Sequence, residues 1–327
     1  MKGVYDVEIY NSNIQYRLLF KRNLTIICGN SGTGKTSLIR LINDYYNEGK
    51  DSGIKIRSKA ECRVLSGKDW YDTLSKINNS IVFLDEGNRF INSKEFAAAI
   101  QEFDNYYVLI TRQPLHQLSY SVNEIYQLVE KKDKSLELQK TYNTMTRLYD
   151  HTGDLEHISP ERVLAEDSNS GYEFFDMVCS KKDKLCISAN GKGNICGMID
   201  SDEDKITNSL VIADGASFGN EMQRVMGALH KRKNWSLYLP ESFEWIILRF
   251  GAVSSKSIDI DDILENPSDH IDSKDYVNWE RFFTDLLTDI LNEYEGVHRY
   301  SKNKLNDYFK QAKIVERILD SIKEVEL

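Results

Sequence analysis

The stretch that most restricts the fold is residues 24–42, LTIICGNSGTGKTSLIRLI. Its first five residues are apolar and β-rich, so they read as a buried strand. After the turn, TSLIRLINDYY carries apolar residues at helical spacing. Between them Gly29, Asn30, Ser31, Gly32, Thr33, Gly34, Lys35 and Thr36 match a phosphate-binding loop. The chemistry requires this order. Glycines admit φ values that turn backbone N–H groups toward phosphates, and the helix N-terminus adds a dipole that favours an anion. Lys35 is then positioned to reach the β- and γ-phosphates, and the Thr36 hydroxyl to hold Mg²⁺. Strand, loop and helix in sequence imply an α/β fold.

Two later strands fit the same site. SIVFLDEGNRF, residues 80–90, is an apolar strand ending in Asp85-Glu86. A carboxylate at the end of a buried strand is costly without a cation, so Asp85 fits the Mg²⁺ partner of Thr36. Glu86 is then placed to orient or deprotonate the attacking water. NYYVLITRQ, residues 105–113, ends in Thr111-Arg112. Thr111 is a candidate sensor of the γ-phosphate. Arg112 either stabilises its charge, within the chain or across a dimer, or forms a structural ion pair. One strand (ECRVLS) and one helix (DWYDTLSKI) between Lys35 and Asp85 imply a compact core. No guanine-reading NKxD pattern occurs, which makes ATP the expected nucleotide. The opening FKRNLTIICGNSGTGKTSLI resembles the start of ABC- and SMC-type ATPases, although no LSGGQ-like signature accompanies it.

A length of 327 residues accommodates two domains. No apolar run approaches a membrane span, and MKGVYDVEIYN lacks a signal-peptide core, so no membrane partner is expected. Five cysteines without paired metal spacing point to reduced thiols and a cytoplasmic protein. A net charge of −9 argues against a broad, non-specific grip on duplex DNA while leaving room for a local basic groove. The polar stretch 149–162, with Gly153 and Pro160, reads as a hinge. A P-loop domain is therefore expected over 1–150, a second α/β domain over 160–253 and a helical cover over 254–327.

Beyond the hinge the pattern restarts. RVLAED is a strand ending in acids, SGYEFFDMVCS a helix, and KLCISANGKGNI a strand into a glycine turn. SLVIADGASFGNEMQRVMGAL is a strand, then Asp214, then a helix; WSLYLPESFEWIILRF is a strand entering a helix at Pro240. Such an order implies a small parallel sheet with acids at the C-terminal strand edge, where ligands bind. Glu166, Asp214 and Glu241 are expected to converge there, with Asp167 and Glu244 beside them. Oxygen-only ligands suit Mg²⁺ or Mn²⁺. The acidic DSDED at 200–204 reads as a solvated loop.

These residues resemble the TOPRIM (topoisomerase–primase) domain, in the diverged form that accompanies ATPases in OLD-family nucleases and phage-defence proteins. The resemblance covers roughly residues 160–250 and the pairing with an ATPase. It implies Glu166 as general acid/base, and Asp214 with Glu241 or Glu244 as metal ligands for phosphodiester cleavage. The sequence departs from the family's Asp-x-Asp pattern, since ADGAS puts Ala216 at the second acid. Near the end, residues 273–296 form an amphipathic stripe with Ser273 and Gly296 as caps, covering the second sheet.

The expected architecture is a compact P-loop NTPase sheet followed by a TOPRIM-like parallel α/β domain with a helical C-terminal cover. The expected function is an ATP-hydrolysing protein with a metal-dependent nuclease domain acting on DNA or RNA in defence against phage. It would work as a homo-oligomer or with a partner protein. The alternative is a regulatory ATPase whose second domain is catalytically inert and binds a partner or nucleic acid.

Overall fold

The computed structural model describes residues 1–29, 32–131, 140–149, 158–249, 251, 253–293, 300–320, 322, 325 and 327. They form a mixed α/β protein in two compact units. One comprises Met1–Tyr149 and Asn266–Val277, the other Asp150–Glu265 and Asn278–Leu327. Of the 149–162 hinge, residues 150–157, including Gly153, lie outside the described residues.

The first unit is built on a sheet with nine strands among the described residues. These are β1 (Tyr5–Tyr10), β2 (Ile14–Phe20), β3 (Leu24–Cys28), β4 (Lys55–Arg57), β5 (Glu61–Val64), β6 (Ser80–Asp85), β7 (Tyr106–Ile110), β8 (Ile125–Lys131) and β9 (Thr141–Arg147). Their spatial order is β4-β1-β2-β9-β8-β3-β7-β6-β5. From β8 to β5 every pairing is parallel. The runs in β3, β6 and β7 are almost wholly buried, as expected of parallel strands covered on both faces.

The other flank extends the sheet beyond the compact core expected, and it is largely antiparallel. β1 pairs antiparallel with both β2 and β4, and β9 antiparallel with β8. β2 alternates buried and exposed residues, the mark of a strand with one wet face. Helix Lys35–Glu48 follows the loop and buries Leu38, Ile39, Leu41 and Ile42. Those side chains share one core with Val7, Ile9, Tyr16, Leu18 and Phe20 of the hairpin. The antiparallel wing thus covers the helix that begins at Lys35.

In the second unit β10 (Arg162–Ala165), β11 (Leu185–Ser188), β12 (Ser209–Ile212) and β13 (Trp235–Tyr238) form a parallel sheet in the order β11-β10-β12-β13. Helices Ser170–Ser180, Met222–Lys231 and Phe243–Arg249 follow β10, β12 and β13. The connection expected as a glycine turn after β11 contains a helix, Lys192–Ser201. Asn190 (φ 53°) and Gly191 (φ 116°) make the turn, and the helix begins at the next residue. Nor is DSDED simply solvated. Asp202 pairs with Arg162 and accepts the Trp235 indole N–H at 2.9 Å.

The C-terminal segment expected as one cover is divided. Residues Asn266–Val277 belong to the first unit, where the Met1 amino group meets Asp272 at 2.9 Å and the Gly3 N–H donates to the Ser268 carbonyl at 2.7 Å. Helix Trp279–Asn292 belongs to the second. Its cap is Asn278, which accepts the Glu280 N–H; the Ser273 hydroxyl bonds Asp104 instead. Gly296 lies outside the described residues. Among the described residues no helix is long and apolar enough to cross a membrane.

Candidate functional site

The first candidate lies at the C-terminal edge of the large sheet. Ile27 of β3 pairs with Ile110 of β7, which pairs with Asp85 of β6. The residues that follow, Cys28-Gly29, Thr111-Arg112 and Glu86, therefore leave the sheet at one level. Gly29, Gly32 and Gly34 all have positive φ (136°, 88° and 85°), the region the loop needs and side chains disfavour. Asn30 and Ser31 lie outside the described residues. The Lys35 ammonium is directed into the loop, donating to the Gly29 carbonyl at 2.7 Å and the Thr33 hydroxyl at 2.9 Å. Lys35 is only 7% exposed. Burial first, then repulsion from Arg112, lowers its pKa, while Glu86, Cys28 and Asp85 oppose that shift.

Tyr16 supplies a support the motif did not reveal. Its hydroxyl donates to the Gly34 carbonyl at 2.7 Å from a fully buried ring. A Cβ on Gly34 would stand 2.9 Å from that hydroxyl oxygen. Thr36 is exposed in the first helical turn, and Asp85 accepts the Glu86 N–H at 2.8 Å. The Arg112 Nε lies 3.0 Å from the Glu86 Oε1. Thr111 is folded onto its own turn, donating to the Gln113 carbonyl at 2.9 Å and accepting the Gln113 N–H at 3.1 Å.

The second candidate lies where the small sheet changes winding direction. From β10 the chain passes to β11 on one side, and β12 lies on the other, which opens a crevice between the C-terminal ends of β10 and β12. Glu166 and Asp214 stand there. The Glu166 Oε2 accepts the Asp214 N–H at 2.9 Å, and the Glu166 N–H donates to the Ile212 carbonyl at 3.0 Å. Together with Glu244 and Lys302 they line a cavity of about 30 Å³, room for about one water-sized body.

Glu244, not Glu241, is the acid contributed after β13. It sits in the first turn of helix Phe243–Arg249, is 1% exposed and accepts the Tyr300 hydroxyl at 2.7 Å on Oε1. Its Oε2 is buried without a hydrogen-bond partner. Glu241 does not line the cavity; its carbonyl accepts the Ala216 N–H at 3.1 Å. Asp167 bonds the backbone and side-chain nitrogens of Asn169, at 3.1 and 2.6 Å. The departure at Ala216 has a steric counterpart. The ADGAS turn presses on the chain leaving β13, so that a Cβ on Gly215 would meet the Leu239 and Pro240 carbonyl oxygens at 2.7 and 2.8 Å. Ala216 itself is buried.

The sequence reading missed Glu280, Tyr300 and Lys302, which come from the expected cover. The Lys302 ammonium donates to the Glu280 carboxylate. Ser170, in the helix after β10, anchors the segment: its N–H donates to the Lys302 carbonyl at 2.9 Å and its hydroxyl lies 3.0 Å from that of Tyr300. Burial raises the Glu166 pKa to about 7, against the Asp214 N–H and Lys192, which lower it. Burial also lifts Asp214 well above the carboxylate range, reinforced by Glu280, Glu166 and Glu244 and opposed by Lys302. Burial disfavours the Lys302 charge, yet Glu280, Asp214 and Glu244 outweigh it and raise that pKa.

Among the described residues no three His, Cys, Asp or Glu side chains form a group that could hold a metal ion. As arranged, the acids of the crevice do not fit a divalent cation. No family model matches the chain, and no curated protein matches it either. Both candidates therefore rest on their own residues.

Proposed function

We propose that the chain binds and hydrolyses ATP in its first unit and uses the nucleotide state to regulate its second. The observation that carries the reading is the Lys35 ammonium held inside a loop of three positive-φ glycines, level with Glu86 and Arg112. The loop amides and Lys35 would bind the phosphates, Thr36 and Asp85 the accompanying Mg²⁺, and Glu86 would orient the water. Phosphate release from ATP, compared between wild type and Lys35→Ala, tests it.

For the second unit the reading favoured is a non-cleaving site that binds nucleic acid or a partner, because Lys302 already stands among the acids. A second reading, metal-dependent cleavage of DNA or RNA through Glu166 and Asp214, is favoured by one observation, the unpartnered Oε2 of Glu244, a residue that lines the same cavity. Incubating DNA and RNA with the protein, Mg²⁺ or Mn²⁺, with and without ATP, separates the two. A homo-oligomer or partner protein belongs to the same proposal, and a role in phage defence follows from the TOPRIM resemblance alone.

A further inference from the structure

The outer face of the antiparallel wing carries a pattern that ATP hydrolysis does not use. Strand pairing sets its side chains in rows. Lys55 of β4 stands opposite Tyr10 of β1, and Tyr10 opposite Gln15 of β2. Gln15 in turn stands opposite Tyr142 of β9, and Tyr142 opposite Lys131 of β8. The neighbouring row reads Arg57, Glu8, Arg17, Thr144, Val129. The alternate residues Val7, Ile9, Tyr16 and Leu18 fill the core, so both rows face outward. Lys55, Arg57, Arg17 and Lys131 are exposed, and Tyr10 and Tyr142 are half-buried. Glu8 is the only carboxylate in the two rows, and it is shared by Arg17 at 2.7 Å and Arg57 at 3.5 Å. A further cation, Lys140, lies 5.0 Å from the Tyr10 ring centre, and the Arg57 guanidinium 5.5 Å from it. In a chain of net charge −9 this face is a local excess of positive charge.

We propose that this face binds single-stranded nucleic acid, with phosphates meeting Lys55, Arg57, Lys131 and Lys140 and bases stacking on Tyr10 and Tyr142. The cations alone would suit any polyanion. Rings set among them add a second requirement, a partner with flat π-surfaces to stack. A duplex keeps those surfaces inside its base stack, whereas a single strand offers them together with its phosphates. The two tyrosines stand two strands apart, about 10 Å, so the bound strand runs across the sheet from β1 to β9. A base stacking on Tyr10 takes the place of a cation over that ring, and the displaced cation pairs with a phosphate. The surface belongs to the first unit and does not depend on the crevice of the second.

The test titrates the full chain into labelled oligothymidylate, oligouridylate and a duplex, each of about 20 nucleotides, and reads fluorescence anisotropy at low and high salt. Wild type should bind a single strand more tightly than the duplex, and more weakly as salt rises. The two oligonucleotides separate DNA from RNA as the source of that strand. Tyr10→Ala/Tyr142→Ala and Lys55→Glu/Lys131→Glu should each weaken binding about tenfold or more. Melting curves establish that the variants are folded, and the lysine pair, wholly exposed, carries the test where the tyrosine pair does not fold. Wild type that prefers the duplex, or a folded tyrosine variant that binds as wild type does, would overturn the proposal. Binding retained by both variants would overturn it as well and leave any nucleic-acid contact to the second unit.

Discussion

The Nε of Arg112 lies 3.0 Å from the Oε1 of Glu86, joining the residues that follow two adjacent strands of the large sheet. The guanidinium thereby holds the carboxylate within electrostatic reach of Lys35. With Glu86 as the group that orients water, Glu86→Gln should keep ATP binding and slow hydrolysis by about 10²- to 10⁴-fold. A titration of nucleotide and a steady-state phosphate assay check this together. Unchanged turnover in the variant would remove Glu86 from that role.

Because Arg112 meets Glu86 within one chain, its contribution should be made in cis. Arg112→Ala should lower turnover, and mixing it with Lys35→Ala protein should restore none of the loss. Recovered activity in the mixture would show that Arg112 acts across subunits.

Gly34 sits at φ 85° beneath a buried tyrosine that cannot swing away. Gly34→Ala should therefore strain the loop by roughly 1–3 kcal/mol and weaken ATP binding. Tyr16→Phe keeps the ring and removes the hydroxyl, whose hydrogen bond to the Gly34 carbonyl is worth about 1 kcal/mol. Urea unfolding of both variants gives the comparison; a tyrosine variant as damaged as the glycine one would contradict it.

Glu166 gives the second unit a pH dependence. Its folded pKa is raised to about 7, chiefly by burial, so the folded state favours the protonated acid. The stability tied to this group is complete below the unfolded glutamate value of about 4.3 and is lost as pH rises through about 7. Glu166→Gln should flatten that decline, raising the melting temperature at pH 8 more than at pH 4. Parallel melting curves across this range would refute the assignment.

Asp202 is a structural acid. It joins Arg162 of β10 to the indole N–H of Trp235 in β13, and the guanidinium stacks 4.8 Å from the Trp235 ring. Asp202→Ala leaves the half-buried Arg162 without its carboxylate and should destabilise the unit by roughly 1–3 kcal/mol. Chemical denaturation measures it, and a change within error would return residues 200–204 to the role of a solvated loop.

The strand, glycine turn and helix around Lys35 were legible because they are contiguous, and periodicity alone marks both flanks. The four strands of the small sheet were legible for the same local reason. The antiparallel wing was not, since Tyr5–Tyr10 and Ile14–Phe20 mix tyrosines, charges and aliphatics, and their pairing is a tertiary fact. Helix Lys192–Ser201 was hidden by the glycines of GKGNICG, which lower helix propensity at its start. Choosing Glu244 over Glu241 depends on the phase of a helix entered after Pro240, which spacing from the strand does not fix. Glu280 and Lys302 come from distant segments, and the amphipathic pattern around Glu280 describes only a packed helix.

The central claim, that the first unit is an ATPase built on Lys35, is tested most directly by measuring ATP binding and phosphate release on the same preparations of wild type and Lys35→Ala. Wild type should bind ATP with Mg²⁺ and turn it over. The variant, folded but without the ammonium that enters the loop, should bind about ten- to a hundredfold more weakly and release almost no phosphate. Folded wild type that binds no ATP, or a variant that binds and hydrolyses it equally well, would contradict the account.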